Sequence, residues 1–152
     1  MRLIVLTDIF GRTKYLQKLR TCLLLKYEAV EIIDPYESSE IPFSDEMEAY
    51  SYFKKTCGLD SYINKIYQYL KSYEYTEYHL LGFSIGASAL WAVSDMLQFN
   101  NKIKGICFYS SQIRHFLDIK PNINIDLYFP KIEPNFNVND TIMVLRDKRK
   151  VN

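Results

Sequence analysis

Short apolar runs alternate with amphipathic segments along the whole chain, and this alternation constrains the fold more than any other feature. Five runs have the composition of buried strands, at residues 3–6, 29–33, 78–81, 103–109 and 123–129. Between them apolar residues recur every three or four positions, which predicts helices that begin after Thr13 and after Ser44 or Asp45, with a break near Gly58. The pattern predicts an α/β fold: a three-layer α/β/α, doubly wound parallel sheet of about five strands.

Composition narrows the functional class. The chain has 152 residues, which fits a single domain. Its 19 Lys and Arg nearly balance 18 Asp and Glu, so we expect no nucleic-acid partner and no membrane surface. No apolar stretch has the length of a signal-peptide core or a membrane span. Three cysteines without a CxxC spacing argue against a disulfide framework and against a metal site, and they favour a cytoplasmic location.

The third apolar run enters the pentapeptide Gly82-Phe83-Ser84-Ile85-Gly86, which matches the G-x-S-x-G nucleophile elbow. In that motif a tight strand-to-helix turn lifts a serine hydroxyl above the sheet, and glycines flank it because side chains would collide there. We expect the following helix to reach Phe99. The pentapeptide also fits an ordinary strand-to-helix turn or a phosphate-binding turn.

A second loop lies where an oxyanion hole would need it. Asp8-Ile9-Phe10-Gly11 follows the first apolar run, and in α/β-hydrolases a loop at this place contributes one backbone N–H to the oxyanion hole. The second N–H belongs to the residue after the nucleophile, here Ile85. An N–H of this loop and the N–H of Ile85 would together hold the developing negative charge.

These segments together resemble the dienelactone hydrolase family of α/β-hydrolases over nearly the whole chain. The resemblance rests on Asp8–Gly11, on Asp34-Pro35-Tyr36, on Leu81–Ala87, on Cys107-Phe108-Tyr109 and on Phe129–Pro134. It implies that the second strand lies at one edge, followed by the first, third, fourth and fifth, all parallel.

For the site, the resemblance implies that Ser84 is the nucleophile, that the N–H groups of Ile9 and Ile85 form the oxyanion hole, and that Glu133 is the triad acid. We place Phe10, Tyr36 and Arg114 at the substrate. No cofactor is implied, and the expected partner is a small ester or lactone. The chain departs from the family in having serine where dienelactone hydrolases have cysteine, and no arginine lies between Arg20 and Arg114.

The general base is the open question. The chain has two histidines, and in this fold the triad histidine follows a last strand, which would lie beyond Asn152. We therefore expect a C-terminally incomplete domain. His79 lies inside the third strand, whereas His115 follows the fourth and is the candidate base, although a solvated loop position beside Arg114 is the plainer interpretation.

Three functions remain open from the sequence. The first is a serine hydrolase that acts on a small ester or lactone through an acyl-enzyme at Ser84. The second is a catalytically inactive α/β-hydrolase-like binding or interaction protein, and the third is a flavodoxin-like fold that holds a phosphate at Gly82–Gly86. We also expect the fifth strand to be an open edge of the sheet, through which homo-oligomers would form.

Overall fold

The computed structural model describes residues 1–37, 40–73, 75–98, 100–134 and 136–152. Its centre is one five-stranded sheet in the order β2-β1-β3-β4-β5, with every neighbouring pair parallel. The strands are β1 (Arg2–Leu6), β2 (Ala29–Ile33), β3 (Tyr78–Phe83), β4 (Ile103–Phe108) and β5 (Asn124–Tyr128). The predicted fold class and strand order are confirmed.

The helices follow the predicted segments. They are α1 (Lys14–Leu23), α2 (Glu46–Thr56), α3 (Gly58–Lys71), α4 (Ile85–Val93) and α5 (Val138–Arg146), with a 3-10 helix at Ser111–His115 that the sequence pattern did not predict. Phe99, the predicted end of the helix after the serine motif, lies outside the described residues.

Side-chain caps explain where three helices begin. Thr13 accepts a hydrogen bond from the N–H of Leu16, and Asp45 accepts one from the N–H of Glu48. Asn137 caps α5 in the same way. Between α2 and α3 the chain turns at Gly58, whose φ of +72° suits glycine, so the predicted break is confirmed.

Helices cover both faces of the sheet. α2, α3, α4 and α5 pack with one face in the larger core, which includes the fully buried Trp91 and Tyr62. α1 packs on the other face, against a smaller cluster around Leu3 and Val5. The register pairs Leu6 of β1 with Gly82 of β3, so the loops after these two strands lie side by side at the carboxyl ends of the strands.

The outer edge of β5 differs from the prediction. Residues 150–152 run parallel to it: Ile125 N–H donates to the carbonyl of Lys150 (2.9 Å), Asn152 N–H to that of Ile125 (3.0 Å), and Leu127 N–H to that of Asn152 (2.9 Å). Backbone groups that the sequence predicted to be free are therefore paired, and the prediction of an open edge is wrong over these residues. The reason is that the turn after α5 returns the chain to the sheet.

Among the helices that the structure describes, none combines the length and the apolar character needed to cross a bilayer.

Candidate active site

Ser84 has the backbone of a strained elbow. Its φ of 48° and ψ of −110° lie in a region that residues with a side chain rarely adopt. The surroundings hold it there: Ser84 N–H donates to the carbonyl of Phe108 (2.8 Å), and its own carbonyl accepts from the N–H of Ser88 (3.0 Å). The serine is partly exposed between the end of β3 and the start of α4. The structure therefore has the turn that the motif predicts.

Both flanking glycines are required by close backbone contacts. A Cβ at Gly82 would lie 2.6 Å from the Cα of Ala87, in the first turn of α4. A Cβ at Gly86 would lie 2.4 Å from the carbonyl oxygens of both Leu6 and Thr7 at the end of β1. Only glycine allows helix and strand to approach this closely, which is the steric reason for the spacing.

Two backbone N–H groups beside Ser84 are available as donors. Ile85 is the first residue of α4, so its N–H has no partner within the helix. Ile9 lies in a turn that two hydrogen bonds between neighbouring residues stabilise. Phe10 N–H donates to Asp8 Oδ1 (2.9 Å), and Gly11 N–H donates to the Asp8 carbonyl (3.2 Å). In the described part of the chain no acceptor meets the N–H of Ile9 or of Ile85.

A cavity of about 290 Å³ contains the serine. It is lined by Ile9, Glu46, Tyr50, Ser84, Ile85, Ser111, Gln112 and Arg114. Four of the predicted site residues are thus brought together: the serine, both oxyanion residues and the arginine. The other four come from the start of α2 and from the 3-10 helix, and no local motif in the sequence marked them.

Arg114 is held in place from two sides. Its Nη1 donates to the carbonyl of Ser111 (2.5 Å), and its guanidinium lies 5.7 Å from the ring centroid of Phe136. Glu46 lies in the same cavity, so the described lining carries one positive and one negative side chain. The cavity is therefore polar at its walls and suits a small ligand.

The remaining predicted residues lie outside that lining. His115 ends the 3-10 helix with its side chain exposed, and Glu133 is half-buried in the loop after β5. Phe10 packs its ring on Phe43, with centroids 6.3 Å apart. Their predicted roles stay predictions.

Tyr36 is buried and contacts the loop of Asp8–Gly11. Its hydroxyl donates to the carbonyl of Ile9 (2.6 Å), and its backbone N–H donates to Asp34 Oδ1 (2.9 Å). Burial raises the pKa of the Tyr36 phenol, so the hydroxyl stays protonated and remains a donor. The side chain therefore contacts the loop rather than the serine cavity.

Two titratable groups near the sheet are perturbed by burial. The pKa of Asp8 is raised because its carboxylate is desolvated, although the hydrogen bond from Phe10 N–H opposes the shift. Burial lowers the pKa of His79, whose Nδ1 lies 2.9 Å from the Tyr27 hydroxyl on the α1 side of the sheet. His79 is thus a partly buried side chain of β3, on the strand where the sequence predicts it.

Within the described residues, no group of three or more His, Cys, Asp or Glu side chains is arranged to hold a metal ion.

The turn at Ser84 and the order of the strands together define the fold class. Flavodoxin-like sheets have the same strand order, whereas the strained serine with positive φ at the end of β3 is the geometry that the G-x-S-x-G motif predicts. The chain has an α/β-hydrolase-like fold of the dienelactone hydrolase type.

Comparisons with known proteins agree with this fold. A Klebsiella pneumoniae subsp. pneumoniae MGH 78578 crystal structure, provisionally named a dienelactone hydrolase, superposes with a TM-score of 0.64 at 14% identity. The match covers 95% of this chain and 66% of that protein, so this chain spans slightly less than two thirds of it. The uncharacterised protein YczH of Bacillus subtilis (strain 168) is 28% identical over 145 residues, covering 93% of this chain and 69% of YczH. No protein-family model matches.

Proposed function

We propose that this protein is a serine hydrolase of the dienelactone hydrolase-like type, which cleaves a small ester or lactone through an acyl-enzyme at Ser84. The observation that carries the proposal is the left-handed backbone of Ser84 in a cavity that it shares with Ile9 and Ile85. Strain of this kind is retained where function uses it.

The residues support a two-step acyl transfer. Ser84 Oγ would attack the carbonyl carbon, forming a C–O bond while its proton passes to a base. The negative charge that develops on the carbonyl oxygen would be met by the N–H groups of Ile9 and Ile85. The alkoxide then leaves and takes up a proton, and water hydrolyses the acyl-enzyme by the same path. In a lactone both products would stay joined in one molecule.

We propose His115 as base because it adjoins Arg114, which lines the cavity, and Glu133 as its carboxylate partner. Neither side chain lines the cavity within the described residues, so we expect slow turnover. General-base assistance is worth roughly 10²–10⁴-fold, whereas an oxyanion hole alone leaves a residual rate above water.

Hydrolysis of p-nitrophenyl acetate by purified protein tests the proposal. Activity should be weak and should vanish in Ser84→Ala. Loss in His115→Ala with folding retained would establish that histidine as the base, and survival in both His115→Ala and His79→Ala would fit catalysis by the oxyanion hole alone. Turnover that is indifferent to Ser84→Ala would refute serine chemistry.

The second candidate is a binding protein that has this fold but lacks catalysis. It is favoured by the absence of both histidines from the described lining of the cavity. A fluorophosphonate probe separates the two functions, because it forms a covalent bond only with an activated serine. Labelling of Ser84, located by peptide mass spectrometry, supports the hydrolase, whereas an unlabelled serine in the folded protein supports the binding protein.

A further inference from the structure

Ser88 lies one helical turn after the nucleophile and is completely buried in α4. Its hydroxyl makes three polar contacts: with the Ser84 carbonyl (3.1 Å), with Ser110 Oγ (3.1 Å) and with the backbone N–H of Gln112 (3.2 Å). No sequence motif in the chain singled it out.

The three contacts use the full hydrogen-bonding capacity of the Ser88 hydroxyl. A serine hydroxyl donates one hydrogen bond and accepts two. The N–H of Gln112 can only donate and the carbonyl of Ser84 can only accept, so Ser88 donates to Ser84 and accepts from Gln112. Ser110 is then the second donor, which determines the direction of every bond in the group.

These bonds join two walls of the cavity. On one side is the carbonyl of Ser84, which also accepts from Ser88 N–H and so belongs to the strained elbow. On the other side, Ser110 immediately precedes the 3-10 helix and Gln112 lies within it, and this helix contributes Ser111, Gln112 and Arg114 to the cavity. One buried side chain therefore links the backbone of Ser84 to the 3-10 helix that also lines the cavity.

We propose that Ser88 is a positioning residue, which ties the elbow of Ser84 to the 3-10 helix and so sets the distance between the nucleophile and the polar wall around Arg114. This inference rests on the proposed hydrolase function for its kinetic consequence, and on the hydrogen-bond geometry alone for its structural one.

The variants are Ser88→Ala, which removes all three bonds, and Ser88→Cys, which keeps a weak donor and acceptor. The matched control is Ser94→Ala, another buried serine at the end of α4, whose hydroxyl bonds only to the Trp91 carbonyl (2.7 Å) among the described residues. If Ser88→Ala fails to fold, Ser110→Ala removes one arm of the group and takes its place.

In the kinetic test, rates on p-nitrophenyl acetate are expressed per folded molecule. Misplacement of about 1 Å can cost roughly 100-fold, so we expect kcat in Ser88→Ala to fall about 10- to 100-fold, with an intermediate loss in Ser88→Cys and none in Ser94→Ala. A Ser88→Ala variant that melts earlier but keeps its rate per folded molecule has lost only stability, and that result overturns the proposal.

Hydrogen–deuterium exchange tests the link without any activity. In Ser88→Ala the amides of residues 110–114 and of the first turn of α4 should exchange faster together, whereas Ser94→Ala should leave both segments as in the wild type. Unchanged exchange at residues 110–114 in Ser88→Ala refutes the link. If the wild type shows no turnover that depends on Ser84, the hydrolase proposal fails, while the exchange result still decides the role of Ser88.

Discussion

Replacement of Gly86 by valine tests the close approach on which the elbow depends. The first carbon of any side chain at this position would lie 2.4 Å from the carbonyl oxygens of Leu6 and Thr7. Ordinary contact begins at roughly 3.4 Å, so α4 and β1 would have to separate by about 1 Å. Both contacts are with backbone, and a rotamer change cannot relieve them.

The cost can be bounded from packing data. Overpacking in a core costs about 1–3 kcal/mol when side chains can adjust, and more when they cannot. Valine adds two methyl groups beyond the clash, so we expect a loss of about 3 kcal/mol or more. For a domain of this size that corresponds to a fall in melting temperature of roughly 6–12 °C.

Thermal unfolding followed by circular dichroism measures the effect, with Gly105→Ala as the control. A Cβ at Gly105 would meet the side-chain Cγ1 of Ile125 at 3.2 Å, which a shift of a few tenths of an ångström relieves, so about 1 kcal/mol or less is expected. A Gly86→Val protein that melts within about 2 °C of the wild type would contradict the close packing of α4 on β1.

Three further variants test the loops around the site. Tyr36→Phe removes the bond to the Ile9 carbonyl and should cost about 1 kcal/mol in urea unfolding; no change would show that the bond contributes nothing. Asp34→Ala removes the ion-pair partner of the half-exposed Arg12 and the acceptor of the Tyr36 N–H. It should lower the free energy of unfolding by about 2 kcal/mol, and a urea midpoint equal to that of the wild type would refute this. Asp8 has a raised pKa, so its ionised form disfavours folding at a pH above that pKa. Asp8→Asn should therefore raise the melting temperature at pH 7 but not at pH 3. A rise at pH 3 with none at pH 7 would contradict the raised pKa.

The sequence by itself determined the strands, the α-helices and the turn at Ser84. Strand and helix periodicities are local, so β2 was predicted with its observed bounds, Ala29–Ile33. Helices were predicted to begin at Thr13 and near Ser44 or Asp45, and in the structure Thr13 and Asp45 are the capping residues. The elbow was also readable, because Gly82 and Gly86 are required by contacts within one strand-to-helix unit and its neighbouring strand.

Only the tertiary structure decided what surrounds the serine. Glu46 and Tyr50 reach the cavity from α2, and Ser111 and Gln112 reach it from a 3-10 helix that no periodicity indicated. Their positions depend on how distant segments pack on the sheet, and local residue pattern carries no record of that. The same holds for residues 150–152, which pair with β5 because the chain folds back after α5. Burial of Ser88, with its three hydrogen bonds, likewise exists only once α4 and the 3-10 helix have come together.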